Sequence, residues 1–267
     1  MIQRTFTSNG GEVVLGLHQA ELYYEVIGKK GAPCIVLLPG GLATVSDFNT
    51  FTPYLSLHYQ LIGIDFRGQG RSSLGTIDRL TYPLLMDDVE RILVKLGIEH
   101  AGFIGFSDGG TVGYHLGNSQ KIKMDWLISI GGTWCYQDTQ GTDHLTPAQC
   151  QALLPAFYNL YQDVNPDQNF TLVAQLVVAM WRDGSNENLP LDLAKQLKCP
   201  VLIVCGEKDT ALLPESALKL AQQITNSSLF IVPFIGHDAF NVPNNLFVEG
   251  MLHFLNVLDL RNECREK

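Results

Sequence analysis

Three observations predict an α/β architecture with a mostly parallel central sheet and helices on both faces. Six short, near-continuous apolar runs recur along the 267 residues, as strands buried on both faces require. Segments of helical period lie between them. One run, ending at Phe106, feeds straight into the glycine-rich stretch G-F-S-D-G-G, Gly105 to Gly110.

The chain opens with Glu12 to Leu17 and Leu22 to Val26, which read as an antiparallel hairpin or meander. The parallel set follows: Cys34 to Leu38, Gln60 to Asp65, Ala101 to Phe106, Trp126 to Ile130, Val201 to Cys205 and Leu229 to Val232. Val89, Ile92, Leu93 and Leu96 recur at i, i+3, i+4 and i+7, and Val248, Met251, Leu252 and Leu255 repeat that spacing. Both segments are expected to be amphipathic helices packed on the sheet.

The regular strand spacing is interrupted once, between Trp134 and about Lys195, a stretch too long for an ordinary connection. Thr146-Pro147 reads as an N-cap followed by a first-turn proline, and Phe170 to Trp181 carries a dense apolar pattern. The division that follows is a core of residues 1–133 and 196–267 with a helical cap, 134–195, inserted into it.

Composition narrows the function. A chain of this length with 46% apolar residues builds a substantial core without staples. A formal net charge of −9 with no basic run argues against a nucleic-acid or anionic-membrane binder, which needs clustered Lys and Arg. The N-terminus lacks a secretory h-region and no apolar run is long enough to span a bilayer, so a soluble, cytoplasmic protein is expected. Six scattered cysteines without a C-x-x-C pair read as reduced structural thiols.

A strand running into G-x-S-x-G and then a helix is the nucleophile-elbow pattern, in which the serine occupies a strained tight turn. Gly105, Gly109 and Gly110 let strand and helix approach closely. A serine hydroxyl is a weak nucleophile near neutral pH and needs a base and a group to orient it. The run Val201 to Cys205 ends in G-E-K-D, with Asp209, and Leu229 to Val232 is followed by P-F-I-G-H-D, with His237. Both lie at strand C-termini, where sites form in open parallel sheets.

With these pieces in hand, and with L-L-P-G-G at Leu37 to Gly41 and D-F-R-G-Q-G-R-S at Asp65 to Ser72, the chain resembles the α/β-hydrolase-fold serine hydrolases over nearly its whole length. The S-D-G-G form of the elbow further resembles the valacyclovir-hydrolase-like and small carboxylesterase branch. The resemblance implies Ser107 as nucleophile, His237 as general base and then acid, and Asp209 as the orienting carboxylate. It implies no metal or organic cofactor. His18, His58, His100, His115, His144 and His253 lack the strand-end context and default to structural roles. The charged residues of Asp65 to Ser72 are likewise read as structural.

Oxyanion donors are expected from the backbone N–H of Asp108 and of Gly41, with Leu42 as the alternative. The sequence departs from the family pattern at Pro39, where a histidine commonly precedes the glycine, which bears on loop geometry and not on a backbone donor. An Asp108 nucleophile fails on register, because Phe106 stands where a small residue is required. For the Asp108 side chain two readings stand: a first-turn acid complementing the helix dipole and bonding nearby backbone, or a carboxylate receiving a substrate ammonium.

The inserted segment holds Trp134, Phe157, Tyr158, Tyr161, Phe170, Met180 and Trp181, enough to roof an apolar pocket. Trp134, Met180 and Trp181, with Asp108, are the candidate substrate contacts. The function that follows is hydrolysis of a small-molecule carboxylic ester through an acyl-enzyme. A carbon–carbon bond hydrolase of the same fold and a ligand receptor with vestigial hydrolase activity remain open.

Overall fold

A computed structural model of the chain describes residues 3–7, 10–138, 145–153, 155–242 and 245–265; His144 lies outside these. Among the described residues there is one eight-stranded sheet of order β1-β2-β4-β3-β5-β6-β7-β8. β1 (Glu12–Leu15) and β2 (Glu21–Gly28) form the antiparallel opening, and β2 pairs antiparallel with β4. β3 (Cys34–Leu38), β4 (Gln60–Ile64), β5 (His100–Phe106), β6 (Lys123–Ile130), β7 (Val201–Gly206) and β8 (Ser227–Val232) run parallel.

Alternation along the strands splits the core in two. Val36, Leu38, Ile62, Phe103, Leu127 and Ile203 point to one face, and Ile35, Leu37, Leu61, Ile104, Ile128 and Val204 to the other. On the second face α1 (Thr52–Leu55) contributes Leu55, while α9 (Leu246–Arg265) buries Val248, Met251 and Leu255. On the first, α2 (Tyr82–Lys95) buries Leu85, Val89, Ile92 and Leu93, joined by α3 (Asp108–Leu116) and α8 (Pro214–Gln223). α2 starts where Thr81 accepts from the Leu84 N–H at 3.3 Å and Pro83 needs no donor partner.

Between β6 and β7 the chain forms α4 (Pro147–Leu153), α5 (Pro155–Val164), α6 (Phe170–Arg182) and α7 (Leu191–Lys195). Thr146 caps α4 as its sequence predicts: its Oγ1 accepts from the Gln149 N–H at 3.2 Å, and Gln149 Oε1 accepts from the Thr146 N–H at 2.9 Å. Asn165 at the end of α5 donates to the carbonyls of Gly70 and Ser72 at 2.9 and 3.0 Å. The inserted helices are thereby tied to the turn after β4. No helix among the described residues is long and apolar enough to cross a membrane.

That turn is held by its own charges. Asp65 accepts from the Val45 N–H at 2.8 Å and from the Arg71 Nη1 at 2.8 Å. Arg67 is fully buried and grips Asp88 on α2 bidentately, Nε to Oδ2 at 2.7 Å and Nη2 to Oδ1 at 2.5 Å. Burial pushes the Asp88 carboxyl up against the pull of Arg67, so the carboxylate depends on its partner. Arg67→Met is expected to cost about 3–5 kcal/mol in urea unfolding by stranding Asp88, with most of the loss recovered in Arg67→Met/Asp88→Leu. A double variant as unstable as the sum of the two single ones would contradict this account.

Candidate active site

The end of β5 builds the site. Ser107 takes φ +51° and ψ −114°, a backbone that L residues rarely adopt. Its N–H donates to the Ile130 carbonyl at 2.8 Å and its carbonyl accepts from the Thr111 N–H at 3.0 Å. The flanking glycines are demanded by space: a methyl on Gly105 would stand 2.2 Å from the Gly109 oxygen, and one on Gly109 would stand 2.0 Å from the Leu38 oxygen.

Strand order then delivers the partners. Asp209 follows β7 and His237 follows β8, and the structure brings both to Ser107. His237 Nε2 lies 2.9 Å from Ser107 Oγ, and His237 Nδ1 lies 2.9 and 3.1 Å from the two Asp209 oxygens. The Asp209 side chain is buried while that of His237 keeps 30% of its surface exposed. Asp209 Oδ1 also accepts from the N–H groups of Ala211 and Leu212 at 2.8 and 3.0 Å, which fixes the orientation of the carboxylate.

Three supports were not legible in the motifs. Gly131 after β6, at φ +61°, leaves the space in which His237 sits, since a methyl there would be 2.8 Å from His237 Cε1. The Phe106 ring packs 5.0 Å from the His237 ring. Glu207 accepts from the Phe234 N–H at 2.7 Å, and the Lys208 N–H donates to the Ile235 carbonyl at 2.8 Å. These last bonds join the loop of Asp209 to the loop of His237.

Around the serine, the loop after β3 presents Gly40, Gly41 and Leu42. The Leu42 N–H donates to Gln69 Oε1, so it is already taken. Among the described residues no acceptor is bonded to the N–H of Gly41 or of Asp108. Of the three sequence-predicted donors, these two are the ones left open.

The Asp108 side chain is buried and matches neither sequence reading in full. Its Oδ1 accepts from the Tyr82 hydroxyl at 2.8 Å and from Trp181 Nε1 at 2.9 Å, and Oδ2 lies 3.0 Å from the same indole nitrogen. The bonds run to two side chains from α2 and α6 rather than to nearby backbone. Burial pushes the carboxyl up to about 6, against the opposing hydrogen bonds from Trp181 and Tyr82 and the charge of His237.

The other candidate contacts separate. Trp181 stands over the loop after β3, its Cζ2 2.6 Å from where a Gly41 methyl would be. Trp134 is buried with Nε1 bonded to Ser216 Oγ at 2.8 Å, and Lys195 lies over its ring. Met180 is buried among the core residues of α6. His115 bonds the Asn188 carbonyl at 2.9 Å inside the core, where burial holds its pKa down. A cleft of about 1250 Å³ opens at the opposite sheet edge, lined by Pro33, His100, Lys123 and Pro200, and none of these residues reaches Ser107. Among the described residues no three His, Cys, Asp or Glu side chains are grouped to hold a metal.

Comparison with known proteins places the fold. The family model described as the alpha/beta hydrolase fold matches residues 33–183, and that of TAP-like proteins matches 168–260. A Caulobacter sp. (strain K31) protein named as a carbamate hydrolase, RutD, is 24% identical over 88% of this chain and 96% of its own. The esterase EaEST from Exiguobacterium antarcticum superposes with a TM-score of 0.71 at 20% identity, covering 92% of this chain and 99% of that one. The meta-cleavage product hydrolase CumD from Pseudomonas fluorescens IP01 does so at 0.70 and 19%, covering 95% and 98%. The solved structures, at these identities, speak for the fold alone. The family model spans more than half of the chain, from β3 through α6: the chain belongs to the alpha/beta hydrolase fold family.

Proposed function

We propose that the protein is a serine hydrolase of small-molecule carboxylic esters, nearest in its S-D-G-G elbow to the valacyclovir-hydrolase-like and small carboxylesterase branch. The observation that carries the reading is the continuous chain from Ser107 Oγ through His237 to a buried Asp209, with 2.9 Å at both links. In this reading Asp209 holds His237 with its Nδ1 protonated, leaving Nε2 to take the Ser107 proton as Oγ attacks the ester carbonyl. The developing oxyanion lies against the N–H groups of Asp108 and Gly41. His237 returns the proton to the leaving alcohol, and water, deprotonated by the same imidazole, releases the acid.

The inserted segment, residues 134–195, acts in this reading as a cap over the serine and limits the substrate to a small molecule. A second reading is favoured by the relatives: carbamates and carbon–carbon bonds alpha to a carbonyl pass through the same serine chemistry. Their products differ, carbon dioxide with an amine or ammonia and any alcohol in one case, an acid with a ketone-type fragment in the other, against acid plus alcohol for an ester.

Two measurements follow. A panel of p-nitrophenyl esters from acetate to octanoate is expected to show many turnovers per enzyme, with kcat reduced by roughly 10⁴-fold or more in Ser107→Ala. Turnover that survives the substitution, or a single acylation without release, would move the assignment to another residue or to a receptor.

The second concerns Asp108 and pH. A carboxyl raised to about 6 in the folded chain, against roughly 3.9 unfolded, binds its proton more tightly when folded. Its ionisation therefore removes stability as pH rises between about 4 and 6. The melting temperature of Asp108→Asn minus that of the parent is expected to be more positive at pH 7.5 than at pH 4.5. A difference independent of pH would show that this carboxyl is not raised.

A further inference from the structure

The polar groups beside the serine are bonded in a way that the hydrolytic chemistry does not require. Asp108 spends its carboxylate on Tyr82 and Trp181, although only its backbone N–H is used on the substrate. The residue is 2% exposed, and a methyl on Gly41 would stand 2.5 Å from Oδ2. A carboxylate enclosed in this way has no face left for a ligand cation. What it does hold is an indole.

Trp181 is fixed from two sides. Its Nε1 is shared between the two Asp108 oxygens at 2.9 and 3.0 Å. Its backbone lies where α6 ends, and there Asn188 Nδ2 donates to the carbonyls of Met180 and Asp183, both at 2.9 Å, while Asn188 Oδ1 accepts from the Tyr82 N–H at 3.1 Å. Tyr82, through its hydroxyl and its N–H, thus closes a ring of bonds joining α2, the elbow and the end of α6. An aromatic ring anchored at its polar tip and at its backbone presents a rigid face rather than an adaptable one.

The position of that face assigns it a role. A carbonyl oxygen seated on the N–H groups of Gly41 and Asp108 directs its carbon to Ser107. The leaving alcohol must face His237, which protonates it, so the acyl group projects from the carbonyl carbon away from His237. The Trp181 ring stands against Gly41 and Asp108, the two residues that carry those N–H groups, whereas His237 is met by Asp209, Gly131 and Phe106; the ring is therefore taken to line the acyl side. Resting on the ester reading above, we infer that Trp181 is the wall of the acyl subsite, that Asp108 is the positioning residue that pins it there, and that the substrates are esters of short acyl groups, with little limit set by this wall on the alcohol. The two roles of Asp108 are separable: the N–H serves the oxyanion and the carboxylate serves selectivity.

The test compares parent, Trp181→Ala, Asp108→Ala and Asp108→Asn on two series: p-nitrophenyl acyl esters from acetate to octanoate, and acetate esters of alcohols from ethanol to octanol. The parent is expected to favour acetate and propionate. Trp181→Ala should raise the octanoate-to-acetate ratio of kcat/KM by roughly tenfold or more, within the range by which pocket walls discriminate added methylenes, and should leave the alcohol profile unchanged. Asp108→Ala should shift the acyl profile the same way. Asp108→Asn, whose amide oxygen still accepts from Trp181, should keep the parent's ratio whatever its absolute rate. Trp181→Leu replaces the alanine variant if melting curves show the latter unfolded.

An active parent whose acyl profile is the same in Trp181→Ala or Trp181→Leu would overturn the wall. Equal shifts in the acyl and alcohol series would reduce it to general loosening and overturn it too. An acyl shift in the tryptophan variants with none in Asp108→Ala would overturn the pinning. A parent that turns over no ester would overturn the ester reading itself, and this inference with it.

Discussion

The backbone of Ser107 is the constraint around which the rest is arranged. Holding a non-glycine residue in such a sparsely populated conformation costs about 1–3 kcal/mol, and the chain offsets it locally. The Ile130 carbonyl and the Thr111 N–H take up the two backbone groups of the serine. The absence of side chains at Gly105 and Gly109 lets β5, α3 and the end of β3 converge to contacts that a methyl would forbid. The strain turns Oγ outward and leaves the first N–H of α3 free beside it, and both are what the proposed attack by Ser107 would use.

Topology does the remainder. In the order β5-β6-β7-β8, four neighbouring parallel strands end at the same sheet edge and deliver, in turn, Ser107, Gly131, Asp209 and His237. The glycine from β6 stands where the imidazole needs room. The two carboxylates meet different partners. Asp209 is met by backbone N–H groups and His237. Asp108 is met by a phenol and an indole, and desolvation outweighs them.

Much of this could be read in the residues themselves. The strands were visible because helices on both faces make them apolar throughout, and their errors fell at the ends. The sequence pattern starts β6 at Trp126, while the strand begins at Lys123, because polar residues are tolerated where a strand emerges at the sheet edge. Ser107, Asp209 and His237 could be placed at one sheet edge from the sequence because each stands in the short segment that follows an apolar run. The Tyr82–Asp108–Trp181 bonds could not, since the partners lie 26 and 73 residues from Asp108 and nothing in their local sequence marks them. Leu42 was left open as a donor for the same reason: its N–H is claimed by Gln69, 27 residues away.

The most direct test of the central claim is to catch the covalent intermediate. Enzyme quenched in acid during turnover of p-nitrophenyl acetate and digested for mass spectrometry is expected to carry an acetyl group on the peptide containing Ser107, localised to that hydroxyl. The adduct should fail to accumulate in His237→Ala. Steady turnover with no acetyl at Ser107, or with the acetyl on another side chain, would contradict the assignment of the elbow serine as the nucleophile.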